Sequence, residues 1–237
     1  AITGLADACQ TLGVPVTGGN VSLYNGTGAP GRIDSSINPT PVVGVLGVLD
    51  DVSRVTPSGW TAPGQAVYLL GATRTELSGT AWADVVHSHL GGLPPAVDLP
   101  AERTLGEILI NASRDELVDA AHDLSTGGLA QSLVDAVLRF GVGASVSLDG
   151  VCERDGVDLA TALFSESGAR AIVAVPRSEE VRLADMCVAR GFPYARIGVT
   201  DDAAGDEGQA LDVDGVGTIS LSELREASEG TLPRFFG

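Results

Sequence analysis

Two spacings of hydrophobic positions run along the 237-residue chain, and together they predict helices mixed with strands. Apolar residues three and four apart predict helices over residues 2–12, 79–90, 101–112, 127–139, 158–163 and 179–190. Short apolar or alternating runs predict strands over residues 14–16, 40–52, 66–70, 117–121, 144–148, 169–175, 195–199, 211–213 and 218–221. A final acidic helix follows. This order predicts an α+β fold, with an α/β-like mixed sheet and helices on one face.

A stretch rich in proline and glycine, residues 56–64, separates two differently patterned parts of the chain. Such segments commonly mark domain boundaries. We therefore expect one domain over residues 1–58 and a second over residues 59–237. The first helical pattern starts at once, without a capping residue before it, so we also expect the chain to be part of a longer polypeptide.

Composition excludes several functional classes. Hydrophobic residues make up 44% of the chain, enough for a sizeable core, and no apolar run approaches the ~20 residues of a membrane span. A net charge of −17 opposes binding to nucleic acid or anionic membranes. All 14 basic residues are arginine, which excludes Schiff-base and P-loop lysines. Three distant cysteines without CxxC spacing and no secretory signal favour a cytoplasmic protein with buried thiols.

The first candidate site is the stretch VTGGNVSLYN, residues 16–25. Gly18 and Gly19 carry no Cβ, so a ligand could approach their backbone N–H groups. The strand period of two then places Asn20, Ser22 and Tyr24 on one face. An amide oxygen suits Mg²⁺, which takes few protein ligands. From spacing alone, a plain hairpin with a solvated polar face explains the stretch slightly better.

Two further stretches carry polar residues next to glycines. In HDLSTGG, residues 122–128, a helix begins at Gly127 and Gly128, whose N–H groups could bind an anion. A tight strand-to-helix junction, held by His122 and Asp123, is the favoured reading. In LFSESGAR, residues 163–170, Glu166 either forms a salt bridge that holds the turn, with Arg170 as its partner, or points into a cleft; the first reading is favoured.

Four stretches in this order resemble a known family: GVPVTGGNVSLYN, INPTPVVGVLGVLDD, HDLSTGGLAQSL and LFSESGARAIVAV. They are similar to the C-terminal third of the synthetase subunit of phosphoribosylformylglycinamidine synthase. The last two stretches are shared with the wider aminoimidazole ribonucleotide synthetase superfamily. The resemblance implies the end of the second A-type domain, which carries part of the ATP and substrate site, over residues 1–58. It implies a complete second B-type domain over residues 59–237.

The resemblance also implies a reaction of purine biosynthesis. The family is an ATP-dependent ligase that converts formylglycinamide ribonucleotide, ATP and glutamine-derived ammonia to formylglycinamidine ribonucleotide, ADP and phosphate. The implied cofactors are ATP and Mg²⁺. The implied partners are the missing N-terminal part of the subunit, a glutaminase subunit and a small accessory subunit.

Residue by residue, the resemblance places ATP against Gly19, Mg²⁺ on Asn20 and the substrate on Ser22. It places no catalytic residue in this chain, because the family's catalytic histidine and most of its ligands lie in segments absent here. We therefore expect the chain alone to lack synthetase activity. Two alternatives stay open: a structural module that contacts other subunits, and a related ATPase of the superfamily.

Overall fold

The computed structural model describes residues 1–21, 26–28, 32, 35–36, 38, 40–201 and 209–236. The chain divides into two compact units, Ala1–Asp50 and Asp51–Gly237. The division falls at Asp50/Asp51 rather than at the predicted Ser58. Residues just after Asp51 belong to the second unit, since Arg54 forms an ion pair with Glu116 at 3.3 Å. The assignment of the two parts as A-type and B-type domains stays a prediction.

The first unit contains one helix, α1 (Ile2–Leu12), among its described residues. Gly13 ends the helix in the left-handed conformation, with φ of 70°, as predicted from its position. Strands β1 (Gly26–Thr27) and β2 (Ser35–Ser36) pair antiparallel. The predicted strand over residues 14–16 does not form.

The strand predicted over residues 40–52 is wrong. Residues 40–50 form no strand and expose their apolar side chains, and only the last residue of the range, Val52, enters a 3₁₀ turn (Val52–Arg54). A strand that is apolar on both faces needs neighbouring strands and two covering layers. The described residues supply no strand that pairs with it.

The second unit is built on a seven-stranded sheet with the order β4-β6-β3-β7-β5-β8-β9. The strands are β3 (Ala66–Leu70), β4 (Ala120–Asp123), β5 (Gly143–Val146), β6 (Ala171–Val175), β7 (Tyr194–Asp201), β8 (Ala210–Val213) and β9 (Gly217–Ser220). All neighbours pair antiparallel except β5 and β8, which are parallel. The predicted mixed sheet is therefore confirmed.

Helices connect and cover these strands. They are α2 (Ala81–His87), α3 (Leu99–Arg114), α4 (Gly128–Phe140), α5 (Asp149–Asp155), α6 (Leu159–Phe164), α7 (Glu180–Ala189), α8 (Leu221–Glu229) and α9 (Thr231–Phe236). Helix α5 was not predicted, because only Val151 and Cys152 are apolar in its sequence DGVCERD.

Strand β3, in the interior of the sheet, faces two separate cores. Val67 and Leu69 pack into a core with Leu133 of α4, whereas Tyr68 and Leu70 belong to a second core with α3 and α7. All five residues of β3 are buried. The α+β class is thus confirmed, but the helices cover both faces of the sheet rather than the one predicted, because β3 is apolar on both sides.

Candidate functional site

The predicted ligand loop of the first unit is open to solvent. Gly18, Gly19 and Asn20 are exposed and lie outside helix and strand. A Cβ added at either glycine meets no described atom within 4 Å. Packing within the described residues therefore does not require glycine here, but the φ of +159° at Gly19 is one that residues with a side chain rarely adopt. Ser22 and Tyr24 lie outside the described residues, so the shared polar face stays a prediction.

The second glycine pair is different, because packing requires it. Gly127 and Gly128 have φ values of +83° and +64°, in the region that favours glycine. A Cβ at Gly128 would lie 2.5 Å from the Ser165 carbonyl oxygen and 2.8 Å from that of Leu163. The start of α4 thus lies directly against the loop that follows α6, and only a residue without a side chain fits.

Glu166 occupies the position where the sequence suggested an anion. Its Oε1 accepts hydrogen bonds from the Gly127 N–H at 2.8 Å and from the Ala81 N–H at 2.9 Å. These donors lie at the N-termini of α4 and α2, where a negative charge is favourable. The Gly128 N–H donates to the Ser125 carbonyl at 3.0 Å. Both glycine N–H groups are therefore used inside the unit, which favours the junction over anion binding.

The proposed Glu166–Arg170 salt bridge is wrong. The Arg170 guanidinium instead donates to three oxygens: the Ser167 carbonyl at 2.9 Å, Thr73 Oγ1 at 3.0 Å and the Ser165 carbonyl at 2.6 Å. Arg170 is only 2% exposed. Burial lowers its pKa to about 10, against the opposing attraction of Glu76 and Asp155. The side chain is still charged at neutral pH and fixes the loop before β6.

Asp155 supplies the nearby negative charge. Its Oδ2 accepts from the Thr73 N–H at 2.8 Å and from Arg154 Nη2 at 2.6 Å. Burial alone would raise its pKa, but the hydrogen bonds from Arg154 and Thr73 outweigh burial and hold the pKa below its ordinary value. Arg154 also donates to the Gly71 carbonyl. Asp155 and Arg154 therefore tie α5 to the loop after β3.

His122 lies on β4 beside a polar cavity of about 490 Å³, with Asp135, Arg139 and Arg225 among its lining residues. Its Nδ1 is 2.7 Å from the Asp123 carbonyl oxygen, and its Nε2 is 3.9 Å from Asp135 Oδ2. These contacts orient the ring within the unit. They agree with the structural reading of His122.

Residues 62–210 match the family model described as AIR synthase related protein, C-terminal domain. The match covers more than half of the 237-residue chain. The chain belongs to this family. The AIR synthase related domain therefore contains the whole sheet up to the start of β8, together with Glu166 and Arg170.

A curated relative extends the match beyond the AIR synthase related domain. The phosphoribosylformylglycinamidine synthase subunit PurL of Renibacterium salmoninarum is 65% identical over 237 residues, which is all of this chain and 30% of that protein. The resemblance inferred from the four stretches is thus confirmed. The chain spans about a third of the length of the curated relative it matches.

Solved structures agree on the fold of the AIR synthase related domain. Thermotoga maritima PurL complexed with FGAR has a TM-score of 0.62 at 21% identity, covering 73% of this chain and 30% of that one. The same protein complexed with ATP has a TM-score of 0.56 at 21% identity, covering 73% and 27%. At this identity the likeness shows the fold.

The described residues contain neither a cluster of metal-binding side chains nor a membrane-spanning helix. No group of three or more His, Cys, Asp or Glu side chains that could hold a metal ion lies together there. Asn20, an amide, belongs to none of these residue types, so its predicted role as a Mg²⁺ ligand stays a prediction. No helix in the described ranges combines the length and the apolar character needed to span a bilayer.

The sequence did not reveal the partners that hold the AIR synthase related domain together at this end of the sheet. Thr73 and Glu76 contact residues 82 to 97 positions away, through Asp155, Arg170 and the Glu166 N–H. No local pattern predicts pairs at such separations. The signal available was chemical: an arginine within a buried run needs oxygen acceptors nearby.

Proposed function

We propose that this chain supplies one part of the site that converts formylglycinamide ribonucleotide, ATP and glutamine-derived ammonia to formylglycinamidine ribonucleotide, ADP and phosphate. The observation that carries the proposal is the 65% identity to a PurL subunit over all 237 residues. The fold likeness to PurL solved with FGAR and with ATP adds support for the substrate and the nucleotide. The rest of the site would lie in the part of the polypeptide that this chain does not span.

The chemistry is an ATP-dependent ligation. The glycinamide carbonyl oxygen of the substrate attacks the γ-phosphorus of ATP and releases ADP, and loss of the amide N–H proton gives an iminophosphate. Ammonia then adds to the activated carbon, and phosphate leaves with the former glycinamide oxygen, which gives the amidine. Mg²⁺, when bound, offsets negative charge on the transferred phosphoryl group. A glutaminase subunit would supply the ammonia, and a small accessory subunit would be a further partner, in the cytoplasm.

Gly19 and Asn20 carry the proposed contacts in this chain. Both are exposed, and the space around a Cβ at Gly19 is free of described atoms, so nucleotide phosphates could approach the backbone. The Asn20 amide oxygen is a hard donor that fits Mg²⁺. Ser22 would contact the substrate, as the family resemblance implies. None of these residues exchanges a proton in the scheme; they bind and orient.

A second candidate function fits residues 51–237, namely a structural module. Glu166, Arg170 and Asp155 all bind other groups of the same unit, through bonds of 2.6–3.0 Å. This use favours a supporting role for the second unit, with ligand contacts left to the first. The two candidates are compatible, and they differ in whether Asn20 matters for turnover.

The experiment is a chimera of Renibacterium salmoninarum PurL in which the matched segment is replaced by this chain. ADP release is measured with formylglycinamide ribonucleotide and ammonium over a range of Mg²⁺ concentrations. We expect Asn20→Ala to lower turnover on the order of 100-fold and to raise the Mg²⁺ required. Asn38→Ala, at another exposed asparagine of the first unit, is the matched control. Full activity of Asn20→Ala would leave only the structural candidate.

A further inference from the structure

An apolar loop, residues 80–97, projects from the second unit. It consists of α2 and the irregular segment after it. Val85, Leu90 and Leu93 are 80%, 81% and 84% exposed, and Val86 and Val97 are exposed as well. Single exposed aliphatic residues are ordinary, but five within one short loop form the kind of surface that proteins cover.

The base of this apolar loop is fixed. Thr80 caps α2 by accepting from the Ala83 N–H at 3.3 Å, and Glu166 binds the Ala81 N–H. Trp82 stacks on Phe164 with ring centroids 6.3 Å apart. At the far end, the Ala96 N–H donates to Glu76 Oε1 at 2.7 Å. The unit therefore holds both ends of the loop in defined positions, as a docking surface requires.

Charge distinguishes the apolar loop from the rest of the chain. The only charged residue in its sequence TAWADVVHSHLGGLPPAV is Asp84, whereas the whole chain carries −17. Two copies of so acidic a chain repel each other at long range, which disfavours self-association through this surface. A surface with a single charged residue instead suits a permanent, mainly apolar interface.

We propose that the apolar loop docks against the part of the PurL-type polypeptide that lies outside the segment matched by this chain. The inference rests on the proposed function, which places the chain in such a polypeptide. In the Renibacterium protein, 30% of the length is matched, so most of that subunit lies outside the segment and is available to cover the loop. The occupant is an apolar surface of the same molecule, and the loop is an interface between its parts.

Cysteine labelling tests the docking directly. Leu93→Cys is introduced into the 237-residue chain and into the chimera, and the rate of maleimide modification at position 93 is followed by peptide mass spectrometry. Val181→Cys on α7, where the valine is 70% exposed, is the matched control. We expect position 93 to react on the order of 10-fold more slowly in the chimera, with position 181 unchanged. Val97→Cys repeats the comparison in case Leu93→Cys alone perturbs folding.

Equal rates at position 93 in the chain and the chimera would overturn the proposal. If position 93 of the isolated chain becomes less reactive as the chain concentration rises, the apolar loop contacts a second copy of the chain. That result would also overturn the proposal. ADP release by the chimera is measured separately. Protection at position 93 in an inactive chimera would support the docking while counting against the proposed function, so the two failures are distinguishable.

Discussion

Replacing Gly128 by alanine tests whether the start of α4 is set by packing or by a ligand. Gly128 has φ of +64°, and an added Cβ would lie 2.5 Å from the Ser165 carbonyl oxygen and 2.8 Å from that of Leu163. Real Cβ atoms essentially never approach backbone oxygens so closely. The backbone before β6 would have to move, and Arg170 holds that backbone through two carbonyl oxygens.

The magnitude follows from two contributions. A left-handed conformation costs alanine about 1–2 kcal/mol relative to glycine. Forcing a methyl group into a packed site costs a further ~1–3 kcal/mol. We expect Gly128→Ala to lower the free energy of unfolding of the second unit by about 2–5 kcal/mol. Gly141→Ala isolates the first contribution, because Gly141 has φ of +74° with no described atom within 4 Å of its Cβ position; its loss should be about 1–2 kcal/mol.

Urea unfolding followed by tryptophan fluorescence is the assay. Both tryptophans of the chain, Trp60 and Trp82, lie in the second unit, so the signal reports that unit. The midpoint should fall further for Gly128→Ala than for Gly141→Ala, with an unchanged slope. Equal losses for the two variants would refute the packing argument and return the Gly127–Gly128 turn to the candidates for ligand binding.

Three further predictions concern the second unit. Arg170→Ala should lower the free energy of unfolding in urea by about 3–5 kcal/mol, because it leaves buried hydrogen-bond acceptors unpaired. The control Arg177→Ala, at an exposed arginine, should lower it by under about 1 kcal/mol, and similar losses for the two variants would contradict this. The pKa of Asp155 is held below its ordinary value of 3.8, so the stabilisation from its carboxylate is present above pH 3.8 and is lost as the pH falls through the folded pKa. The difference in unfolding free energy between wild type and Asp155→Asn should therefore shrink on acidification. A constant difference from pH 7 to pH 3 would argue against this. Cys187 is fully buried, and burial raises its pKa to about 11. At pH 8 its thiol should therefore react with iodoacetamide only as fast as the second unit unfolds locally, while the half-buried Cys9 reacts sooner. Equal reaction rates for the two cysteines would disprove this.

Local pattern predicted much of the second unit. The apolar run of β3 was placed at Ala66–Leu70 with both ends correct, because turn residues bound it on each side. Helix α2 was predicted too long: it ends at His87, where Ser88 adopts a left-handed conformation with φ of 50°. Nothing in the local pattern of Ser88 indicates this, since the apolar spacing continues to Leu90.

Non-local contacts account for what the sequence could not predict. Glu166 was read as a partner of Arg170, four residues away, yet it binds N–H groups 39 and 85 positions distant. Carboxylates can satisfy any donor that folding brings near, so neighbours in sequence are a poor guide to their partners. The strand over residues 40–52 failed for a related reason, since a strand depends on pairing partners and the described residues supply none.

Family resemblance, rather than pattern, carried the candidate site. Spacing alone slightly favoured a plain hairpin at VTGGNVSLYN, and the structure adds that Gly18 and Gly19 have no packing reason to be glycine within the described residues. The roles of Gly19, Asn20 and Ser22 are predictions that depend on groups outside this chain. Periodicity could place Asn20 on a strand face, but it could not name what binds there.

The central claim, that this chain contributes one part of a shared synthetase site, is tested most directly by comparing two proteins in one assay. ADP release with formylglycinamide ribonucleotide, ammonium and Mg²⁺ is measured for the 237-residue chain alone and for the Renibacterium chimera. We predict turnover by the chimera and none by the chain alone. Turnover by the isolated chain, or a folded chimera that releases no ADP, would contradict the claim.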